Sequence, residues 1–88
     1  MIQDSTSAAA EILNCVRDIC AETIRVPLAR VIPGARFIED LDADSLFIVQ
    51  LTIAVELCFD ISISEEEARQ LLTVQDMASF VAQRLGSV

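Results

Sequence analysis

Apolar residues recur at helical spacing along almost the whole chain, and this period restricts the fold more than any other feature. From about Ser7 to Arg25, Ile12, Val16, Ile19 and Thr23 share one stripe, with Ala9 and Leu13 beside it. Pro27 and the Pro33-Gly34 pair then break the pattern and predict a long irregular connection. Phe37, Ile38 and Leu41 lie inside that connection and are expected to pin it to the core. A second helix starts at Asp44 or Ser45, with Asp44 as N-cap, and runs to about Phe59. It carries two apolar stripes, Leu46/Val49/Ile53/Leu57 and Leu51/Val55/Phe59, so it is either central or uses its outer face for binding. Residues 60–63 read as a short extended link. Ser64 and Glu67 form a capping-box pattern that opens a short third helix. A fourth helix follows Thr73, has Asp76 at its N3 position, faces Val74, Met77, Val81 and Leu85 one way with Ala78 alongside, and ends at Gly86. The expectation is an all-α, four-helix bundle with a short third helix and a long loop between helices one and two, forming a single domain over residues 1–88.

Charge narrows the function. Fourteen acids stand against six bases, all Arg, for a formal charge of −8. Such a chain repels nucleic acid and anionic membranes and favours a basic protein partner. Between Phe37 and Ala68 there are nine acids and no base, a block expected to steer a partner. No apolar run reaches bilayer length, and the N-terminus has no basic region ahead of an apolar stretch, so a cytoplasmic monomer with no membrane span is expected. The three cysteines, with no His and no CxxC spacing, support neither a disulfide framework nor zinc; Cys15 and Cys20 read as small apolar residues.

Catalysis finds little footing. Without His or Lys, the Ser-His, Cys-His and Ser-Lys arrangements and a Schiff base are all excluded. Gly34 and Gly86 are the only glycines, so no phosphate-cradling loop exists. Asp40, Asp42 and Asp44 fit the first ligand positions of a calcium loop, but Ser45 and Leu51 stand where such a loop needs Gly and Glu. Neither an enzyme nor a metal site is expected.

Residues 37–59, FIEDLDADSLFIVQLTIAVELCF, resemble the acyl carrier protein signature, in which Phe and an acidic pair precede a Leu-x-Ala-Asp-Ser-Leu core. Residues 59–81, FDISISEEEARQLLTVQDMASFV, are similar to the third and fourth helices of that family. The resemblance implies a 4′-phosphopantetheine arm, transferred from coenzyme A, on Ser45. A phosphate at that position suits a helix N-terminus. It further implies a phosphopantetheinyl transferase as partner, with Asp44 part of what the transferase recognises, and acyl chains as cargo for fatty-acid or related lipid biosynthesis. The cargo would be sheltered among Leu51, Ala54, Val55, Phe59, Ile63, Ala68 and Ala78, although these fit ordinary packing equally well.

The chain also departs from the family. Asp42 stands where Gly is usual, Phe47 follows Leu46, Gln50 replaces a common Glu, and Leu57-Cys58 replaces an acidic pair. The expected partner-recognition set is Asp42, Asp44, Leu46, Phe47, Gln50, Ile53 and Glu56, with Phe47 as an outward anchor for a dedicated synthase or acyl-transferring enzyme whose docking surface is basic or apolar. The alternatives are a polyketide or peptidyl carrier, or an unmodified helical interaction module.

Overall fold

The computed structural model describes residues 5–86, with side chains from residue 10 onward. Four helices follow in order: α1 (Ser5–Ile24), α2 (Ser45–Phe59), α3 (Glu65–Arg69) and α4 (Val74–Arg84). A 3-10 turn, Leu28–Arg30, interrupts the loop between α1 and α2. Arg25 ends α1 in the left-handed region at φ 66°, and Pro27 prevents any continuation.

Helix α1 is the hub and packs on both α2 and α4. Its buried line is Ile12, Val16, Cys20 and Ile24. The expected Ile19 and Thr23 are only half-buried, because the buried row runs at i, i+4 through Cys20 and Ile24 and leaves positions 19 and 23 on its flank. Ala9 lies outside the residues with described side chains. Cys20 is fully buried, and burial pushes its thiol up to about 12, which leaves it inert. Cys15 does not follow the apolar reading: it faces solvent.

The long loop is irregular yet its backbone is well satisfied. Arg17 donates to the carbonyls of Val31 at 2.6 Å and Leu28 at 3.2 Å, which ties the loop to α1. Farther on, the loop runs against the α3–α4 link: Phe37 N–H donates to Leu72 O at 3.0 Å, Val74 N–H to Ala35 O at 3.0 Å and Gln75 N–H to Pro33 O at 2.8 Å. Val31, Ala35, Phe37, Leu41 and Ala43 enter the core. Ile38 does not; it is 62% exposed, because residues 37–41 form a tight turn, closed by the Asp40 and Leu41 N–H groups on Arg36 O, that turns Phe37 and Leu41 inward and Ile38 out.

Each later helix is set by its caps. Asp44 Oδ1 accepts from Phe47 N–H at 3.0 Å and starts α2; Asp60, at φ 57°, ends it. Complete capping boxes at Ser64/Glu67 and Thr73/Asp76 start α3 and α4. Arg84 reaches back to bond Ser62 O at 2.7 Å and to pair with Glu67, fastening α3 to the end of α4. Val74, Met77, Ala78 and Val81 are buried as the α4 pattern predicts, but Leu85, past the last turn, is 44% exposed. Gly86 takes φ 71°.

Helix α2 divides sharply. Leu51 and Val55 are fully buried, each contributing about 1.5–3 kcal/mol relative to exposure. Leu46, Val49, Ile53 and Leu57 point to solvent. Of the two roles open to a helix apolar on both sides, the structure assigns the inner stripe to the core and leaves the outer one free.

Candidate functional site

Ser45 is the first residue of α2 and is exposed. Asp44 directly before it takes extended backbone and spends a carboxylate oxygen on Phe47 N–H, which caps the first turn of the helix. A phosphate ester on the Ser45 hydroxyl would meet the positive end of the helix dipole.

Ser45 also lines a cleft of about 660 Å³ between the long loop, α2 and α3. Its interior is apolar, from buried Phe37 and half-buried Ile48, Ala68 and Leu71. Ile38, Val49 and Leu72 are exposed at its rim, and Arg36, Glu39, Glu65 and Arg69 supply charge there. Of the cargo-lining residues expected from sequence, only Ala68 lines this cleft. Leu51, Val55, Ile63 and Ala78 are core, and Ala54 and Phe59 are half-buried elsewhere. The cleft forms where three separate segments meet, and no periodicity marks that meeting. The Leu71-Leu72 pair, apolar in a polar stretch, was the one local signal available.

Among the expected recognition residues, Asp42 and Asp44, just before α2, and Leu46, Gln50 and Ile53, along it, are all exposed. Phe47 is different: it is half-buried and packs against the core cluster, so the ring is a support for the helix and not an outward anchor. Glu56 is half-buried, and its carboxylate accepts from Ile63 N–H at 2.7 Å, stapling the link after α2.

The acidic block is less uniform in space than in sequence. Arg36 pairs with Glu39 at 2.5 Å and Asp40 at 3.5 Å; Arg69 pairs with Glu65 at 3.8 Å; Arg84 pairs with Glu67. The Arg36 N–H and guanidinium hold the Asp40 carboxyl below its ordinary range, and the Ser64 N–H, followed by Arg84, does the same for Glu67. Asp42, Asp60 and Glu66 make no ion pair among the described residues. No three metal-ligating side chains converge among the described residues, and Asp40 and Asp44 are committed to a turn and a cap. No helix of the described residues is long and apolar enough to cross a membrane.

Residues 14–81 match the family model described as the phosphopantetheine attachment site. The chain is 42% identical over 78 residues to an acyl carrier protein of Thermosynechococcus vestitus, covering 89% of this chain and 96% of that protein. It is 41% identical over 71 residues to one of Solidesulfovibrio magneticus, covering 81% and 91% of the two chains. To one of Bdellovibrio bacteriovorus it is 46% identical over 69 residues, covering 78% and 88%. A capped, exposed helix start beside an apolar cleft agrees with these matches, and the chain belongs to the acyl carrier proteins of the phosphopantetheine-attachment family, which hold 4′-phosphopantetheine covalently and carry groups for other enzymes instead of transforming them.

Proposed function

We propose that Ser45 bears the 4′-phosphopantetheine arm and that the chain delivers acyl groups to enzymes of fatty-acid or related lipid biosynthesis. The observation that carries this reading is the exposed Ser45 hydroxyl, at the start of an Asp44-capped helix and on the wall of an apolar cleft. When bound, the arm supplies a thiol that holds the cargo as a thioester. The protein's own residues present the hydroxyl, stabilise a phosphate at the helix end and offer an apolar refuge nearby. A cleft of about 660 Å³ falls within the roughly 300–1,000 Å³ range of small-molecule sites. Its apolar interior favours an alkyl cargo over an aminoacyl one, which ranks a peptidyl carrier below this reading. The three cysteines are free thiols, which fits a reducing, cytoplasmic setting.

Partners in this reading are a phosphopantetheinyl transferase and acyl-transferring enzymes with basic groups facing Asp42 and Asp44. The test is the intact mass after incubation with coenzyme A and a transferase. A gain of one phosphopantetheine, absent in Ser45→Ala, is expected; modification of Ser45→Ala would overturn the assignment. Acyl groups identified on the protein from its native cell would then separate lipid from polyketide use.

A further inference from the structure

The block from Phe37 to Ala68 holds nine acids and no base, and Arg36 and Arg69 stand immediately outside its two ends. The fold brings these two arginines to one place. Both line the cleft that Ser45 lines, Arg36 from the loop and Arg69 from α3. Among the described residues they are the only bases on its walls, and each brings an acid, Glu39 or Glu65, to the same rim. The rim is therefore neutral as long as Ser45 carries only its hydroxyl. A phosphodiester on Ser45 adds a negative charge there. Asp42 and Asp44, beside the hydroxyl, are exposed and make no ion pair among the described residues, so they add to the field that this anion must meet.

The two arginines are not equally free. Arg36 is held in its turn, with a guanidinium nitrogen 2.5 Å from Glu39 and Nε 3.5 Å from Asp40. Arg69 reaches only Glu65, at 3.8 Å, beyond hydrogen-bond distance. The two side chains are 71 and 94% exposed, so Arg69 can leave this pair at little cost and Glu65 stays hydrated. A phosphodiester offers a guanidinium two oxygens for parallel, charge-assisted hydrogen bonds. We propose that Arg69 exchanges Glu65 for the phosphodiester on Ser45 and so lays the arm across the mouth of the cleft; the inference rests on Ser45 as the attachment residue. The start of α2 then faces the phosphate from one wall and Arg69 from the other, while Arg36 contributes charge without moving. Arg69 is a positioning residue in this arrangement: it directs the arm toward the apolar interior, where an alkyl cargo leaves water.

The same guanidinium would accept a carboxylate carried by the cargo, and the experiment separates the two anions. It compares the unmodified protein, the protein bearing phosphopantetheine alone, and that protein loaded with a neutral or a carboxyl-ended acyl group. The Arg69 Nε–H resonance should shift on attachment of the arm alone and move no further with either cargo. The phosphorus-31 resonance of the arm should differ in Arg69→Gln and return toward the parent position in Arg69→Lys. In calorimetry at low salt, the Tm gained on modification should be about 2–4 °C smaller in Arg69→Gln than in the parent, a difference that disappears at about 0.5 M salt. The unmodified parent and variant should melt within about 2 °C of each other, because the Glu65 pair is exposed. Arg25→Gln, exposed and outside the cleft, should leave the phosphorus resonance and the gain in Tm at their parent values. An unchanged phosphorus resonance in Arg69→Gln would overturn the inference, as would an Arg69 signal that shifts only with the carboxyl-ended cargo. Either result, with the parent modified on Ser45, leaves the attachment reading intact, whereas a parent that is never modified removes that reading itself.

Discussion

Asp42 occupies the left-handed region at φ 57°, the position where the family signature usually has Gly. A short polar side chain tolerates this conformation, and glycine adopts it freely. Asp42→Gly should stabilise by a few tenths to about 1 kcal/mol, relief of backbone strain being offset in part by greater freedom of the unfolded chain. Asp42→Val should cost about 1–2 kcal/mol. Urea denaturation of the two variants checks the sign of each. Phe47 shows how much one contact changes an expectation. Its place directly after Ser45-Leu46 suggested an outward ring, but the ring packs against the core cluster. Phe47→Asp should therefore destabilise by about 1–2 kcal/mol, with a matching fall in Tm. An unchanged melt would show that the ring leaves the core in solution.

Helix starts are the elements on which the site depends. Asp44 serves α2 both as a cap and as a charge beside Ser45, and two substitutions separate the roles. Asp44→Asn retains an acceptor for Phe47 N–H and should preserve stability, while Asp44→Ala should lose about 1 kcal/mol. If the charge steers the transferase, both variants are modified more slowly, and added salt slows the parent toward them. Helix α3 depends on Glu67, which accepts from Ser64 N–H at 2.9 Å and pairs with Arg84. Its carboxyl is held below the ordinary range, so the stabilisation is full above that range and disappears as pH falls through the lowered folded value. Glu67→Gln should flatten the acid limb of the Tm–pH curve below about pH 5, and a limb as steep as the parent's would place the acid sensitivity elsewhere.

At the scale of the molecule, the cleft exists because three segments are fixed in place by contacts at and beyond its walls. Arg17 and the bonds to Leu72, Val74 and Gln75 fasten the loop wall, and Arg84 fastens α3. Ala68 is the small residue inside, so a larger side chain should fill the space without touching Ser45. Ala68→Phe is expected to leave modification of Ser45 unchanged while exposing a bound acyl chain, so that its thioester hydrolyses faster in water. An acyl-carrier thioester as long-lived as the parent's would show that the cargo rests elsewhere.

Local chemistry made much of this protein readable. The caps at Asp44, Ser64 and Thr73, the stop at Gly86 and the apolar stripe of α4 involve partners within a few residues, so spacing alone reveals them. The motif around Ser45 was equally legible, because its residues are contiguous. Tertiary structure decided the rest. Ile38 and Phe47 exchanged their expected places, Cys20 went in while Cys15 stayed out, and the acid block acquired arginine partners from beyond its ends. The cleft beside Ser45 belongs to the same class. Which of two apolar stripes on α2 faces the core depends on where α1 lies, and periodicity within a single helix does not contain that information.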